Sequence, residues 1–143
     1  MPRQQDRDAD GDGQEGPRVW VIGADHWPRA ALRAELIERG YDAVGFTTLR
    51  DAAAALVLAR GRAPALIVLD LHQQPLDGQL LDLIFRPGVP LIAVAGASQA
   101  SDQALGRRGW ATFLQRPVTL GTIADAVERL LGAGSAGQTD RAR

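Results

Sequence analysis

A chain of 143 residues, 45% of them hydrophobic, has the length for one domain with a sizeable core and is short for two. Its formal charge of -1 sets up no long-range field toward nucleic acid or an anionic membrane, so neither is expected as a partner. The absence of cysteine excludes a disulfide framework, a thiolate zinc site and a cysteine nucleophile, and no apolar run approaches the roughly 18 residues that span a bilayer.

The N-terminus is polar and acidic where a secretory signal is basic and then apolar, so a cytoplasmic location is expected. Residues 1–16 are Gln, Asp, Arg and Gly without apolar periodicity, and burial cannot offset their ordering entropy. They are expected to form a disordered leader. Within it, Asp8-Ala9-Asp10-Gly11-Asp12-Gly13 resembles the opening of a calcium-binding loop. Val19 stands at the twelfth position, where a bidentate Glu is needed, and no helix precedes, so calcium is not expected.

Arg18 to Gly23 reads as the first strand, followed by a helix from His26 to Gly40 with Leu32, Leu36 and Ile37 at helical spacing and Asp25 as its N-cap. Tyr41 to Phe46 is a second, shorter strand. Thr47 or Thr48 caps an alanine-rich helix from Leu49 to Arg60, closed by Gly61. Ala65-Leu66-Ile67-Val68-Leu69 is an unbroken apolar run between Pro64 and a turn-rich stretch, the pattern of a strand buried on both faces of a parallel sheet. Asp70 ends it. A short helix from Leu76 to Ile84, a strand from Val89 to Ala95, a polar helix from Gln99 to Arg107, a strand from Ala111 to Leu114 and a helix from Thr119 to Leu131 complete the series. Residues 133–143 are Gly, Ser, Ala and charge, and are expected to be a disordered tail.

Five strands alternating with five helices across residues 17–132 predict one α/β domain, a doubly wound parallel sheet in the flavodoxin-like order 2-1-3-4-5. In such sheets ligands bind outside the carboxyl ends of the strands, which makes Asp70 a candidate site residue. Two isolated histidines, His26 and His72, do not form a metal site, and no Gly-rich phosphate loop, nucleophile elbow or Ser/His/Asp set is present. An autonomous enzyme is not expected. Trp20 alternates into the core, whereas Trp27 and Trp110 fall near the crevice rim, where Trp is a favoured interface anchor or simply half-buried.

From Arg18 to Leu131 the chain resembles the receiver domain of two-component response regulators. The resemblance is carried by Leu69-Asp70-Leu71 with Pro75 and Asp77-Gly78, by Val89-Pro90, by Phe113 and by Arg116-Pro117, in order and at the family's intervals. It implies that Asp70 is the phosphoacceptor, that Arg116 stands for the family's phosphate-pairing lysine, and that Ala95 and Phe113 are the switch positions. It also implies a magnesium ion held by Asp70 and an acidic pair after the first strand. The aligned pair here is Gly23 and Ala24, with Asp25 next, so a site of Asp25 and Asp70 binds magnesium weakly. Ala95 lacks the hydroxyl that the family places there to meet the phosphoryl group.

Arg keeps the charge of the family's lysine but presents a flat fork in place of a compact ammonium; all sixteen basic residues of the chain are arginine. The expectation is an atypical, stand-alone receiver that works by binding another signalling protein, with phosphorylation of Asp70 weak or absent. A histidine kinase or an output protein is the implied partner. The face of helix four, strand five and helix five, with Trp110, Arg107 and Arg108, is the implied interface for that partner or a homodimer. The alternatives are a conventional phosphoacceptor and a flavodoxin-like domain that binds a small ligand where Gly23, Ala24 and Ala95 leave room.

Overall fold

The structure is a computed structural model that describes residues 16–59 and 63–142. The expected leader, apart from Gly16, the calcium-like stretch and the helix stop at Gly61 lie outside the described residues. Five parallel strands, β1 (Arg18–Ile22), β2 (Asp42–Phe46), β3 (Leu66–Asp70), β4 (Leu91–Ala95) and β5 (Thr112–Gln115), pair in the order β2-β1-β3-β4-β5. This is the predicted order. Among the described residues, six helices connect and follow them: α1 (His26–Glu38), α2 (Leu49–Leu58), α3 (Gly78–Phe85), α4 (Ala97–Ala100), α5 (Gln103–Gly106) and α6 (Leu120–Ala142).

Alternation along the strands divides the core in two. Val19 and Val21, Leu66 and Val68, and Ile92 and Val94 face α1 and α6, meeting Leu32, Leu36, Ile123 and Val127. Trp20 and Ile22, Ile67 and Leu69, and Leu91 and Ala93 face the other way, against Leu49 and Ala52 of α2 and Leu81 and Ile84 of α3. Each large side chain so buried contributes roughly 1.5–3 kcal/mol, which adds to the strand preference of β-branched Val and Ile and fixes these runs as strands. Asp70 falls in the phase that faces α1 and α6, where it leaves the apolar floor and meets the crevice.

Three details differ from expectation. Five helices are predicted and six form, because the polar segment after β4 is cut in two: Ser101 ends α4, and the Asp102 carboxylate accepts from Leu105 N to start α5. Ile37 is 51% exposed, since it stands one residue beyond the buried Leu36 and so points off the core stripe. Helix α6 runs on to Ala142, past Leu131 where its apolar face ends, and no proline interrupts it although Gly132, Gly134 and Gly137 each disfavour helix.

Candidate functional site

The chain leaves β3 at Asp70 and turns sharply, with Gln73 at φ 53°. The turn swings Gln74 back into the protein, where its amide oxygen accepts from Leu49 N (3.0 Å) and its amide nitrogen donates to the Thr47 carbonyl (2.8 Å). On the other side of Asp70, Gln99 Oε1 accepts from Gly96 N (2.8 Å) and Gln99 Nε2 donates to the Leu71 carbonyl (3.1 Å). Two glutamines therefore tie the loops after β2, β3 and β4 to one another.

Both oxygens of the Asp70 carboxylate are engaged. Oδ1 accepts from His72 N (3.0 Å), and Oδ2 accepts from Arg116 Nη2, which comes from the end of β5. The pair is partly buried, with the Asp70 side chain 20% exposed and Arg116 36%. Asp25 stands at the N-cap position of α1 but its carboxylate makes no cap bond, and lies 3.7 Å from His72 Nε2 across the exposed rim. Asp25 is not among the residues that line the cavity beside Asp70.

A third charge comes from α1. Arg29 Nη1 donates to the Gly23 carbonyl (2.7 Å) and the Asp25 carbonyl (3.3 Å). What lets it lie there is Gly45 in β2: a Cβ on that residue would stand 3.4 Å from Arg29 Cδ and 2.9 Å from Arg33 Cδ, so the two arginine stems cross the strand only because it is glycine. Beneath Arg29 and Arg116, between the strand ends and helices α1 and α6, is a cavity of about 240 Å³ with Val21, Val68, Val94 and Ile123 among its walls and Asp70 at its edge.

The remaining predicted residues lie elsewhere. Ala95 is fully buried at the end of β4, and Ser98 beyond it is exposed. Phe113 packs against Trp110, ring centroids 6.2 Å apart, and Trp110 packs edge-on to Phe85 at 4.9 Å. The indole N–H of Trp110 donates to the Leu105 carbonyl, so this ring is built into the core edge and is not a projecting anchor. Arg108 pairs with Asp82 of α3, while Arg107 is exposed. Trp27 is the tryptophan that projects, 78% exposed beside His26.

A magnesium ion wants near-octahedral oxygen coordination with one or two carboxylates. Here the donor set does not fit it: Asp70 is ion-paired with Arg116, the Gly23 carbonyl accepts from a guanidinium, and the described residues contain no cluster of three His, Cys, Asp or Glu side chains. Arg29 and Arg116 place positive charge where a divalent cation would need negative.

No protein-family model and no curated protein matches the chain. Solved structures do. A response regulator receiver protein from Pseudomonas putida is 30% identical, with a TM-score of 0.65, over 80% of this chain and 97% of that one. The chain belongs to the receiver-domain family of response regulators. The receiver domain of NtrX from Brucella abortus is 27% identical, TM-score 0.65, over 80% of this chain and 98% of its own. A receiver domain protein from Clostridium thermocellum is 15% identical, TM-score 0.70, over 84% and 98%, a likeness of fold alone. Receiver domains are the signalling domains of two-component systems, and among the described residues no helix is long and apolar enough to cross a membrane.

Arg29, Gly45, Gln74 and Gln99 escape the sequence reading of this receiver domain. Gly45 alone carried a signal, as an isolated glycine inside a strand marks a close approach of other atoms.

Proposed function

We propose that this receiver domain signals chiefly by binding another signalling protein, a histidine kinase or an output protein, with magnesium-dependent phosphorylation of Asp70 weak or absent. The observation that carries the reading is the Asp70 carboxylate held by Arg116 and by His72 N, with no metal-holding cluster of three His, Cys, Asp or Glu among the described residues. Phosphoryl transfer to a carboxylate needs its developing charge neutralised by cations placed around the equatorial oxygens. Arg116 is one such cation, and its present partner is the nucleophile itself. An ion pair of this kind lowers the nucleophile's availability and holds the ends of β3 and β5 together.

The readout side is equally restrained. Ala95 offers no hydroxyl, and the segment after β4 that would have to move is tied to the Leu71 carbonyl by Gln99. Phe113, wedged against Trp110, serves as packing on the face of α4, α5, β5 and α6. That face, with the exposed Arg107 on it, is the surface offered to the partner or to a second copy, in one fixed state.

The test is a titration with magnesium and then beryllofluoride, followed by backbone amide shifts, with Asp70→Asn as the control. No saturable shift at Asp70, Ala95 or Phe113 in millimolar magnesium is the expected result. Saturable shifts that spread over the α4–β5–α6 face and vanish in the control would establish a working phosphorylation switch and overturn the reading.

A further inference from the structure

The side chains around the cavity beneath Arg29 carry more positive than negative charge. Two guanidinium groups, Arg29 and Arg116, share its wall with one carboxylate, Asp70. Arg116 is matched to Asp70. Arg29 has only carbonyl oxygens as partners, through Nη1, and among the described residues it forms no ion pair. Its Nε and Nη2 protons have no protein acceptor there, so an anion brought to this wall gains a charge-assisted, forked hydrogen bond that no side chain competes for.

The rest of the wall is hydrocarbon. Val21, Val68, Val94, Leu32 and Ile123 close the floor and sides, each of them nearly or wholly buried. Bare inorganic phosphate offers this hydrocarbon wall no apolar partner, whereas an acid with a short apolar body does. The volume, about 240 Å³, lies below the roughly 300–1,000 Å³ of sites for drug-sized molecules, so the body is small.

We propose that this cavity is a binding site for a small monocarboxylate with a compact branched or aromatic body, its carboxylate on Arg29 and its body against the valines at the ends of β1, β3 and β4. The site needs no phosphorylation of Asp70 and gives the domain an input of its own. Occupancy would add contacts between α1, the strand ends and α6 to the one that Arg29 already makes to the Gly23 carbonyl.

Benzoate is the probe, followed by methyl spectra of the intact chain, because an aromatic ring shifts any methyl it covers. Benzamide is its neutral match in size and shape, and inorganic phosphate is the headgroup without the body. Saturable benzoate shifts at the methyls of Val21, Val68 and Val94 are expected, with benzamide weaker by on the order of tenfold, the difference a charge-assisted hydrogen bond makes. Arg29→Gln should bring benzoate down to the benzamide level and leave benzamide unchanged. Asp70→Asn, by removing the one negative charge on the wall, should tighten benzoate severalfold. Equal binding of benzoate and benzamide would reduce the site to an apolar void and overturn the proposal. So would the absence of saturable methyl shifts in the millimolar range, a response to phosphate that benzoate does not share, or an Asp70→Asn variant that binds benzoate no better. The benzoate and benzamide comparison uses the unaltered chain, so it decides the matter even where a variant fails to fold.

Discussion

The two sides of Asp70 are built in opposite ways. Toward β4 and α2, polar side chains are spent on backbone: Gln74 closes Leu49 N and the Thr47 carbonyl, Gln99 closes Gly96 N and the Leu71 carbonyl, Asp102 caps α5 and Trp110 closes the Leu105 carbonyl. Toward β1 and α1, the strand ends in Gly23 beside a cavity, and the polar side chain that arrives, Arg29, keeps donors to spare. One side is held; the other is open to a ligand. Movement in response to Asp70 would have to pass through the held side, while chemistry new to this domain has room on the open one.

The largest effect expected from breaking this contrast is on the held side. Among the described residues, Gln74 is the buried polar side chain of the core, 8% exposed. Gln74→Ala strands a buried donor, Leu49 N, at the start of α2, at about 1–3 kcal/mol, and leaves the Thr47 carbonyl, on an exposed residue, to water, so a loss of about 1–3 kcal/mol is expected in urea unfolding. A loss under half a kcal/mol would show that water replaces the amide and that the loops are not tied. On the open side, Gly45→Val forces the stems of Arg33 and Arg29 off β2, at a cost of about 1–3 kcal/mol for overpacking. It should also free the Gly23 carbonyl, seen as a shift of the Ala24 amide; an unchanged amide there would mean Arg29 reaches Gly23 without help from Gly45.

Most of the fold is legible in the sequence because it rests on apolar runs. Leu66 to Leu69 and Leu91 to Val94 have one stable placement, in the middle of a parallel sheet, and right-handed crossovers leave few orders for the remaining strands. The site is legible only as far as its strand ends: Asp70 and Arg116 meet because each closes a strand of that sheet. Arg29 is not legible, since its place depends on a missing side chain at Gly45, in another element. Nor are Gln74 and Gln99, whose partners are backbone groups that any sequence has. Trp110 looked like an anchor by residue type, and what decides its role is the single carbonyl at Leu105 that takes its N–H.

Gly23→Asp changes the sign of the open side. A Cβ at this position would stand 3.5 Å from Asp70 Cβ and 4.0 Å from Arg29 Cβ, ordinary contact, and the backbone there is not left-handed, so the variant should fold with stability close to the parent. The new carboxylate supplies the second acidic ligand that magnesium lacks, and a rise in magnesium affinity of about tenfold is expected from amide titration. Arg29 competes for the same carboxylate, so Gly23→Asp combined with Arg29→Ala should bind magnesium more tightly still. If neither variant responds to magnesium, the obstacle is the Asp70–Arg116 pair and not the absent carboxylate.

The smallest effect belongs to Tyr41, at the edge of the sheet farthest from Asp70, where neither side of the crevice touches it. Burial pushes its hydroxyl above the usual value of 10.0, Glu128 adds to the rise, and Arg39 partly opposes it. The folded chain therefore holds the proton more tightly than the unfolded chain. The stability this contributes is present below the unfolded value near 10 and is lost as pH rises through the folded value. Tyr41 is the one tyrosine of the chain, so the near-ultraviolet absorbance of tyrosinate reports it alone. Its midpoint should lie above 10 in the native protein and return to about 10 in urea. Tyr41→Phe should flatten the fall of stability above that pH and leave magnesium and benzoate titrations as they are. A native midpoint at or below the urea value would mean that water reaches the ring edge beside α6. A change in the benzoate titration would instead mean that the two ends of the sheet are coupled, and that the open side is less separate than its walls suggest.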